Sequence, residues 1–325
     1  MDRGIKKIGV LTSGGDAPGM NAAIRAVVRA TIYYKKQSIG IYRGYDGLID
    51  GEVQPLDARS VSNIIQRGGT MLKSARSKRF LTPEGRKQAY DVIKRNGIDA
   101  LVVIGGNGTF EGAWTFFNEY QIPFIGIPGT IDNDIAGTDF TIGFDTACNK
   151  VVDAIDSIRD TASSHNRIFF IEVMGRHSGY LALRSAIGAG VEGVMIPENE
   201  MSIDQLMEMM ENRKKQSSFL VVVAEGCKIG DANAIAQKVN ERFPEYDTKV
   251  TVLGHTQRGG TPSCLDREIA SRMGVAAVEG LRMEKNAVMV GVVGDKIVYV
   301  PFHEIDKTEK QINLDLFRIN EILSV

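Results

Sequence analysis

Short apolar runs rich in β-branched residues alternate along the chain with stretches in which apolar residues recur at helical spacing. The runs are mostly continuous, which is typical of parallel strands covered on both faces. They predict strands over Lys7–Thr12, Ser38–Tyr42, Ala100–Ile104, Phe124–Pro128, Ile168–Val173, Val194–Ile196, Phe219–Ala224 and Lys249–Leu253.

The stretches between these runs predict helices over Met20–Tyr34, Pro83–Arg95, Phe110–Glu119, Ala147–Ala162, Ile203–Arg213, Asn233–Arg242 and Asp266–Leu281. Strands that alternate with helices favour an α/β fold of doubly wound layers. In such folds ligands bind beyond the carboxyl ends of the strands, so we expect the chemistry in the segments that follow strands.

Length and composition narrow the class of protein. A chain of 325 residues suggests two domains, at ~100–200 residues each, and the turn-rich segment Pro128–Asp145 is the best candidate for a crossing between them. The formal net charge of −1 gives no basic footprint for nucleic acid. No apolar run reaches the ~20 residues that span a bilayer.

The cysteines indicate the compartment. Cys148, Cys227 and Cys264 are widely spaced and form no CxxC pair, which predicts buried free thiols in a reducing cytoplasm. We therefore expect a cytoplasmic protein without nucleic-acid or membrane partners, in which local groups of Arg and Lys hold anionic ligands.

Two glycine-rich segments follow predicted strands, Gly14-Gly15-Asp16 and Gly105–Thr109. Glycines let backbone N–H groups approach a phosphate, and a following helix adds a partial positive charge, although each segment could equally be a tight turn. No GxxxxGK[ST] pattern occurs, which excludes a Walker-type loop. Gly106-x-Gly108-x-x-x-Gly112 can also be read as a variant dinucleotide fingerprint.

Acidic and basic residues follow other predicted strands. Asp132 and Asp134 come after Thr130 in a segment that turn chemistry alone would explain, but phosphoryl transfer also uses two acids. One acid accepts the proton of the attacking hydroxyl and the other helps hold Mg²⁺. Further strand-end segments carry Met174-Gly175-Arg176, Glu225, and His255 with Arg258. Together these segments favour a phosphate-handling cleft.

These segments together resemble the bacterial-type ATP-dependent 6-phosphofructokinase family. The resemblance covers nearly the whole chain, through LTSGGDAPGMNAAIR, SAR at Ser74–Arg76, PGTIDNDIAGTDFTIGFDTA, IRDTASSH, EVMGRHSG and VLGHTQRGGTP. It implies phosphorylation of fructose 6-phosphate at its 1-hydroxyl by ATP, giving fructose 1,6-bisphosphate and ADP in glycolysis, under allosteric control.

The resemblance also implies the architecture. It predicts two doubly wound three-layer αβα domains with mostly parallel sheets and the active site in the cleft between them. An ATP-binding domain would comprise residues 1–143 plus 257–306. A fructose 6-phosphate-binding domain would comprise residues 144–256 plus 307–325.

The resemblance assigns residues position by position. The ATP contacts are Gly15, Tyr45, Arg76, Ser77, Gly106, Asn107, Gly108 and Thr109. The substrate contacts are Thr130, Asp132, Arg167, Met174, Gly175, Arg176, Glu225, Lys249, His255 and Arg258. Asp132 is the implied general base, and Thr130, Arg176, Arg76 and Gly15 complete the implied catalytic set. Asn107 and Asp134 are the implied ligands of Mg²⁺.

Regulation and assembly follow from the same resemblance. Arg25, Arg29, Arg159, Glu192, Lys214 and Lys215 match an anionic effector site. Arg167 matches a substrate-phosphate ligand that a neighbouring subunit donates, so we expect a homo-oligomer, a tetramer.

The chain departs from the family pattern at two positions. Asn107 stands where an aspartate usually helps bind Mg²⁺, so we expect weaker metal binding. Lys249 stands where a second neighbour-donated arginine is usual, which keeps the charge but loses the bidentate fork. Gly108 and Gly129 stand where the family's pyrophosphate-dependent relatives carry Asp and Lys, so the resemblance implies room for a nucleoside and ATP, not pyrophosphate, as the donor.

Two other functions stay open. Asn107 is compatible with a catalytically silent regulatory paralogue that binds ATP and sugar phosphate without turnover. The fingerprint reading of Gly106–Gly112 is compatible with a nucleotide-dependent oxidoreductase, which would not depend on Asp132.

Overall fold

The computed structural model describes residues 4–163, 167–199, 201–211, 218–305 and 310–323. The strands are β1 Lys7–Thr12, β2 Gln37–Ile41, β3 Val53–Leu56, β4 Ala100–Gly105, β5 Phe124–Pro128, β6 Arg167–Val173, β7 Gly193–Met195, β8 Phe219–Ala224, β9 Asp247–Val252, β10 Val288–Val293 and β11 Lys296–Pro301.

The helices are α1 Met20–Tyr33, α2 Gly44–Asp50, α3 Pro83–Asn96, α4 Asn107–Tyr120, α5 Phe144–Ser163, α6 Tyr180–Ala189, α7 Ile203–Glu211, α8 Ala232–Arg242, α9 Cys264–Arg282, α10 Phe302–Ile305 and α11 Leu314–Leu323. Two 3₁₀ turns, Arg79–Leu81 and Gly254–Arg258, complete the elements.

The chain divides into two compact units. Unit 1 comprises Met1–Thr130, Ile135–Asp145 and Arg258–Lys310, and unit 2 comprises Ile131–Asp134, Thr146–Gln257 and Gln311–Val325. The sequence prediction grouped Ile131–Asp134 with the first domain, whereas the structure groups these residues with unit 2.

Unit 1 is built on a seven-stranded sheet in the order β11-β10-β5-β4-β1-β2-β3. Its inner strands are parallel, as in the pairing of Val10 with Val102, and β3 and β11 close the two edges as antiparallel strands. Alternate residues of the inner strands pack against α2, α3 and α4 on one face, where Leu11, Leu101 and Val103 join one buried cluster. Helices α1 and α9 pack on the sheet as well.

Unit 2 is built on a four-stranded parallel sheet in the order β7-β8-β6-β9. Residues of β6 and β8 share a buried cluster with α7 and α8, in which Phe170, Val221 and Ile235 lie. The predicted α/β fold with mostly parallel sheets is confirmed. Continuous apolar runs mark the central strands because both of their faces are covered.

The structure also corrects the predicted elements. Strand β3 was missed because it is a partly exposed edge strand without an apolar run, whereas β10 and β11 were missed although both contain apolar runs. Helices α2, α6, α10 and α11 were missed too. Helix α4 begins at Asn107, not at Phe110, so Asn107–Thr109 form its first turn.

The cysteines are free thiols, as predicted, but they are not buried: Cys148 and Cys227 are half-buried and Cys264 is exposed. Within the described ranges, no helix combines the length and apolar character that a membrane span requires.

Candidate active site

In unit 1, the ends of β1, β4 and β5 bring the predicted nucleotide segments together. Ser13 donates its backbone N–H to the Ile104 carbonyl, and Gly129 donates to the Gly105 carbonyl at 3.0 Å. A Cβ placed on Gly106 would lie 3.9 Å from the Cβ of Thr130. The two glycine segments and Thr130 therefore lie close together at the carboxyl ends of these three strands.

The second glycine segment is the N-terminus of a helix. Gly106 is the N-cap residue of α4 and itself has no side chain to cap this end. The first N–H groups of a helix lack intrahelical acceptors, and the helix dipole makes this end partly positive. Asn107 and Gly108 are exposed here, and a Cβ on Gly108 would meet no atom within 4 Å. This end of α4 therefore suits an anionic ligand.

Gly15 is exposed and lies against Arg258. A Cβ on Gly15 would lie 2.5 Å from Nη1 of Arg258, and the same nitrogen donates to the Asp16 carbonyl at 3.3 Å. Arg258 is a predicted sugar-phosphate contact, and the structure places it beside the first glycine loop, within unit 1. Glycine at position 15 leaves space for that guanidinium.

Three predicted ATP contacts bond to other residues of unit 1. Tyr45 is 4% exposed, stacks on Phe80 with 4.0 Å between ring centroids, and donates its hydroxyl to the Thr109 carbonyl at 2.6 Å. Burial raises the pKa of Tyr45. Thr109 is buried and donates its hydroxyl to the Ser13 carbonyl at 3.2 Å. Ser77 contacts the Asp46 carboxylate and accepts from the Phe80 N–H.

These contacts give Tyr45, Thr109 and Ser77 a supporting role in the structure, because they join α2, α4 and the loop after β1. Arg76, in contrast, has an exposed side chain.

The acidic segment after β5 is tied to unit 1 at both ends. The Thr141 hydroxyl donates to the Thr130 carbonyl at 2.6 Å, and Ile142 donates its N–H to the Pro128 carbonyl at 2.9 Å. The Gly143 N–H donates to the buried Asp266 carboxylate at 2.8 Å. Between these anchors the chain passes through residues 131–134 of unit 2.

In unit 2, Asp132 is 4% exposed, and Asn133 has left-handed backbone torsions, with φ of 53°. Asp134 is half-buried. The Ser178 hydroxyl donates to the Asp132 carbonyl at 3.3 Å, which fixes the backbone of this residue against the start of α6.

Glu225 holds the turn that carries Arg176. Its Oε1 accepts the N–H of Gly175 at 3.3 Å and the N–H of Arg176 at 2.7 Å. Arg176 has a φ of 53°, an uncommon conformation for a residue with a side chain, and the carboxylate stabilises it. The arginine side chain is exposed, so its guanidinium is accessible to a ligand.

Sequence analysis missed Gln257, which positions this turn and the neighbouring 3₁₀ turn. Gln257 is fully buried, accepts the Met174 N–H at 3.2 Å and donates to the Gly254 carbonyl at 2.9 Å. It thereby joins the turn after β6 to the 3₁₀ turn that carries the exposed His255. Gln257 lies inside the HTQRGG motif, but no residue pattern distinguishes a buried amide from a binding one.

Arg167 and Lys249 lie on neighbouring strands, β6 and β9. The Arg167 Nε donates to Asp247 at 2.7 Å, and the Lys249 Nζ contacts the same carboxylate at 2.6 Å. The two predicted sugar-phosphate ligands are therefore brought together in unit 2.

The predicted effector residues lie in different surroundings. Arg25 and Arg29 lie one turn apart on α1, where burial and then the charge of Arg29 lower the pKa of Arg25. Arg159 donates to the Ala189 and Gly190 carbonyls at the end of α6. Glu192 is buried and accepts the Leu220 N–H at 2.7 Å. Lys214 and Lys215 lie outside the described residues.

The part of the chain that the structure describes contains no group of three or more His, Cys, Asp or Glu side chains able to hold a metal ion. Mg²⁺ is commonly bound by one or two carboxylates together with substrate phosphates and waters, so the predicted pair of Asn107 and Asp134 is a chemically suitable set of oxygen ligands.

The chain is similar to known proteins over nearly its whole length. A family model described as phosphofructokinase matches residues 7–281. The chain is 54% identical over 323 residues to ATP-dependent 6-phosphofructokinase 2 of Bacteroides thetaiotaomicron, with 99% of both chains covered. It is 55% identical to ATP-dependent 6-phosphofructokinase of Cytophaga hutchinsonii, with 98% of both covered.

Solved structures agree with this similarity. A phosphofructokinase from Saccharomyces cerevisiae matches with a TM-score of 0.88 and 36% identity, covering 98% of this chain and 48% of that one. A pyrophosphate-dependent phosphofructokinase from Marinobacter aquaeolei matches with a TM-score of 0.85 and 23% identity, covering 96% of this chain and 86% of that one. At 23% identity, the similarity to the Marinobacter aquaeolei protein shows only that the fold is shared.

The packing of the turn that carries Arg176 leaves no room for a methyl group at position 226. A Cβ on Gly226 would overlap the Arg176 carbonyl oxygen, whereas a Cβ on Gly108 would meet open space. We expect Gly226→Ala to lower the melting temperature by roughly 3–10 °C. Gly108→Ala, the matched control, should stay within about 2 °C of the wild type. Equal melting temperatures for the two variants in thermal denaturation would contradict the packing described for this turn.

Proposed function

The chain belongs to the phosphofructokinase family, and from that membership we propose that it transfers the γ-phosphoryl group of ATP to the 1-hydroxyl of fructose 6-phosphate. The products are fructose 1,6-bisphosphate and ADP, in glycolysis. The observation that carries this proposal is identity above 50% over nearly the whole chain with relatives named ATP-dependent 6-phosphofructokinases. Neither a silent paralogue nor an oxidoreductase receives support from these relatives.

The open space at Gly108 supports ATP as the donor. A Cβ at that position would meet nothing within 4 Å, so the exposed end of α4 leaves room for the phosphates and nucleoside. Gly129 has a separate reason to be glycine, because its Cβ would lie 3.1 Å from Met20 and 3.3 Å from Ile104.

Asp132 acts as the general base in this proposal. A carboxylate within hydrogen-bond reach of the 1-hydroxyl accepts its proton as the oxygen attacks the γ-phosphorus. The burial of Asp132 and the bond from Ser178 to its carbonyl support this role, because both limit the movement of the residue.

Arg176 and Thr130 orient the transferred phosphoryl group. A guanidinium presents a planar fork of donors that matches phosphoryl oxygens, and the bonds from Glu225 to the backbone hold that fork on a defined turn. Arg76 and Gly15 complete the donor side in this proposal. Glu225, Met174, Gly175, His255 and Arg258 contact the sugar phosphate together with Arg167 and Lys249.

Asn107 and Asp134 would hold Mg²⁺ in this proposal. The ion supplies charge neutralisation on the phosphates when it is bound. The amide oxygen of Asn107 is a hard ligand without charge, so Asp134 and the phosphates carry more of the binding than they would beside an aspartate.

The finer proposals concern assembly and control. We propose a cytoplasmic homotetramer in which Arg167 serves a neighbouring subunit, and an anionic effector that binds Arg25 and Arg29. The paired charges on α1 support the effector site. Arg159 and Glu192 already satisfy backbone groups of unit 2, so effector binding would have to share or replace these contacts.

Replacing the base tests the proposed function directly. We expect Asp132→Ser to lower kcat by about 10²–10⁴-fold while the dissociation constant for ATP stays within about two-fold of the wild type. Formation of fructose 1,6-bisphosphate in a coupled assay and ATP binding by calorimetry measure the two quantities. Asp139→Ser, at an exposed position of the same segment, is the control and should retain turnover. Near-normal turnover of Asp132→Ser would contradict the role of Asp132 as the general base.

The metal proposal predicts a gain of affinity. Asn107→Asp adds a charged ligand at the start of α4, so we expect half-maximal activity at about five-fold lower Mg²⁺ concentration. Asn107→Ala removes the oxygen ligand and should raise that concentration. The measurement is a magnesium titration of initial rates at fixed ATP. An unchanged magnesium requirement in both variants would show that position 107 does not contact the metal.

A further inference from the structure

One acidic side chain contacts both cations assigned to the sugar phosphate. Asp247 is the first residue of β9 and pairs in register with Arg167, the first residue of β6. One carboxylate oxygen accepts from Nε of Arg167 at 2.7 Å, and the other contacts Nζ of Lys249 at 2.6 Å. Lys249 lies two residues along β9 from Asp247, so both side chains are on the same face of the strand.

The bond to Arg167 uses the inner nitrogen of the guanidinium. Among the described residues, Arg167 makes no hydrogen bond through Nη1 or Nη2. These two nitrogens form the edge of the fork that binds a phosphate with two parallel bonds. Lys249 retains further N–H donors, because an ammonium group has three. The contacts with Asp247 therefore leave the phosphate-binding atoms of both cations available.

The three side chains lie where a ligand can reach them. The side chains of Arg167, Asp247 and Lys249 are 27%, 45% and 46% exposed. Among the strands that the structure describes, β9 lies at the edge of its sheet and pairs with β6 alone. Two cations and one carboxylate leave a net positive charge at this edge, which attracts a phosphate.

Two cations at such close range would repel each other without an anion between them. Lysine and arginine side chains also lose much rotational freedom when a ligand orders them. The Asp247 carboxylate reduces both the repulsion between the two cations and the rotational freedom that they lose on binding, because it already holds the two side chains together. The Lys249 ammonium and then the Arg167 guanidinium lower the pKa of Asp247, so the carboxylate stays ionised at neutral pH.

We propose that Asp247 is a positioning residue for the phosphate of the sugar substrate. It holds Arg167 through Nε and Lys249 through Nζ, so that the outer edge of the guanidinium and the ammonium converge on one phosphate group. This inference rests on the proposed function, in which Arg167 and Lys249 bind that phosphate.

A competing role would place the carboxylate in the position of the phosphate itself. Such a competitor would be expected to bind the Nη1–Nη2 edge of Arg167, where two bonds are available. The observed contact through Nε favours positioning over competition.

Substitutions of Asp247 test the proposal through KM. Asp247→Asn removes the charge and should raise KM for fructose 6-phosphate about five-fold at saturating Mg-ATP. Asp247→Ala removes both contacts and should raise it about ten-fold or more. For both variants kcat and KM for ATP should stay within about two-fold, because the donor side is untouched. Glu245→Gln, an exposed acid just before β9, is the charge-matched control and should leave KM unchanged.

A double-mutant cycle separates positioning from a general structural effect. In an Arg167→Ala, Lys249→Ala background the further change Asp247→Ala should have little effect on KM, because no cations remain to be positioned. An equal rise of KM in both backgrounds would overturn the proposal, and so would a KM that is unchanged or lower in Asp247→Ala. If the wild type forms no fructose 1,6-bisphosphate, or if Arg167→Ala alone leaves KM unchanged, the proposed function or its Arg167 assignment fails instead.

Discussion

The hydrogen bond from the Thr141 hydroxyl to the Thr130 carbonyl closes the segment on which the proposed chemistry depends. The chain leaves unit 1 after Thr130, contributes residues 131–134 to unit 2, and returns to unit 1 at Ile135. Two further contacts fix the ends of the segment that enters unit 2. They are the isolated β-bridge between Gly129 and Ile142 and the hydrogen bond from the Gly143 N–H to the Asp266 carboxylate. Two peptide bonds join Thr130 to Asp132, so the assigned phosphoryl-orienting residue and the assigned base move as parts of one anchored segment.

The other proposed ligands depend on the same kind of support, a polar side chain bonded to the backbone of a turn. Glu225 holds the N–H groups of Gly175 and Arg176, and buried Gln257 holds that of Met174. Asp247 extends this principle to side chains, since it contacts the charged groups of Arg167 and Lys249 directly. Reaction geometry that must be kept within fractions of an ångström requires such supporting residues as well as the ligands themselves.

The sequence predicts secondary structure best where burial requires a continuous run of apolar residues. Most central strands are covered on both faces and were predicted from their apolar runs, whereas the partly exposed edge strand β3 has no such run and escaped prediction. Strands β10 and β11 were missed although their runs are apolar. The segments with candidate chemistry were found because they follow those runs. It could not be predicted that Tyr45 bonds to Thr109 and that Thr109 bonds to the loop after β1, since both contacts depend on the fold of unit 1. The roles of Gln257, Asp266 and Asp247 also arise from contacts between residues distant in sequence, for which no local signal exists.

The anchoring of the acidic segment is tested most directly by the rate of a single turnover. Thr141→Val keeps the shape of the side chain but removes the hydroxyl that donates to Thr130, whereas Thr141→Ser keeps that hydroxyl. With enzyme in excess over ATP and with saturating fructose 6-phosphate, rapid-quench measurement gives the rate of phosphoryl transfer. We expect a rate about ten-fold or more below the wild type for Thr141→Val, with ATP binding retained, and a rate near the wild type for Thr141→Ser. Equal transfer rates for wild type and Thr141→Val would show that this hydrogen bond does not hold the segment in its reactive position.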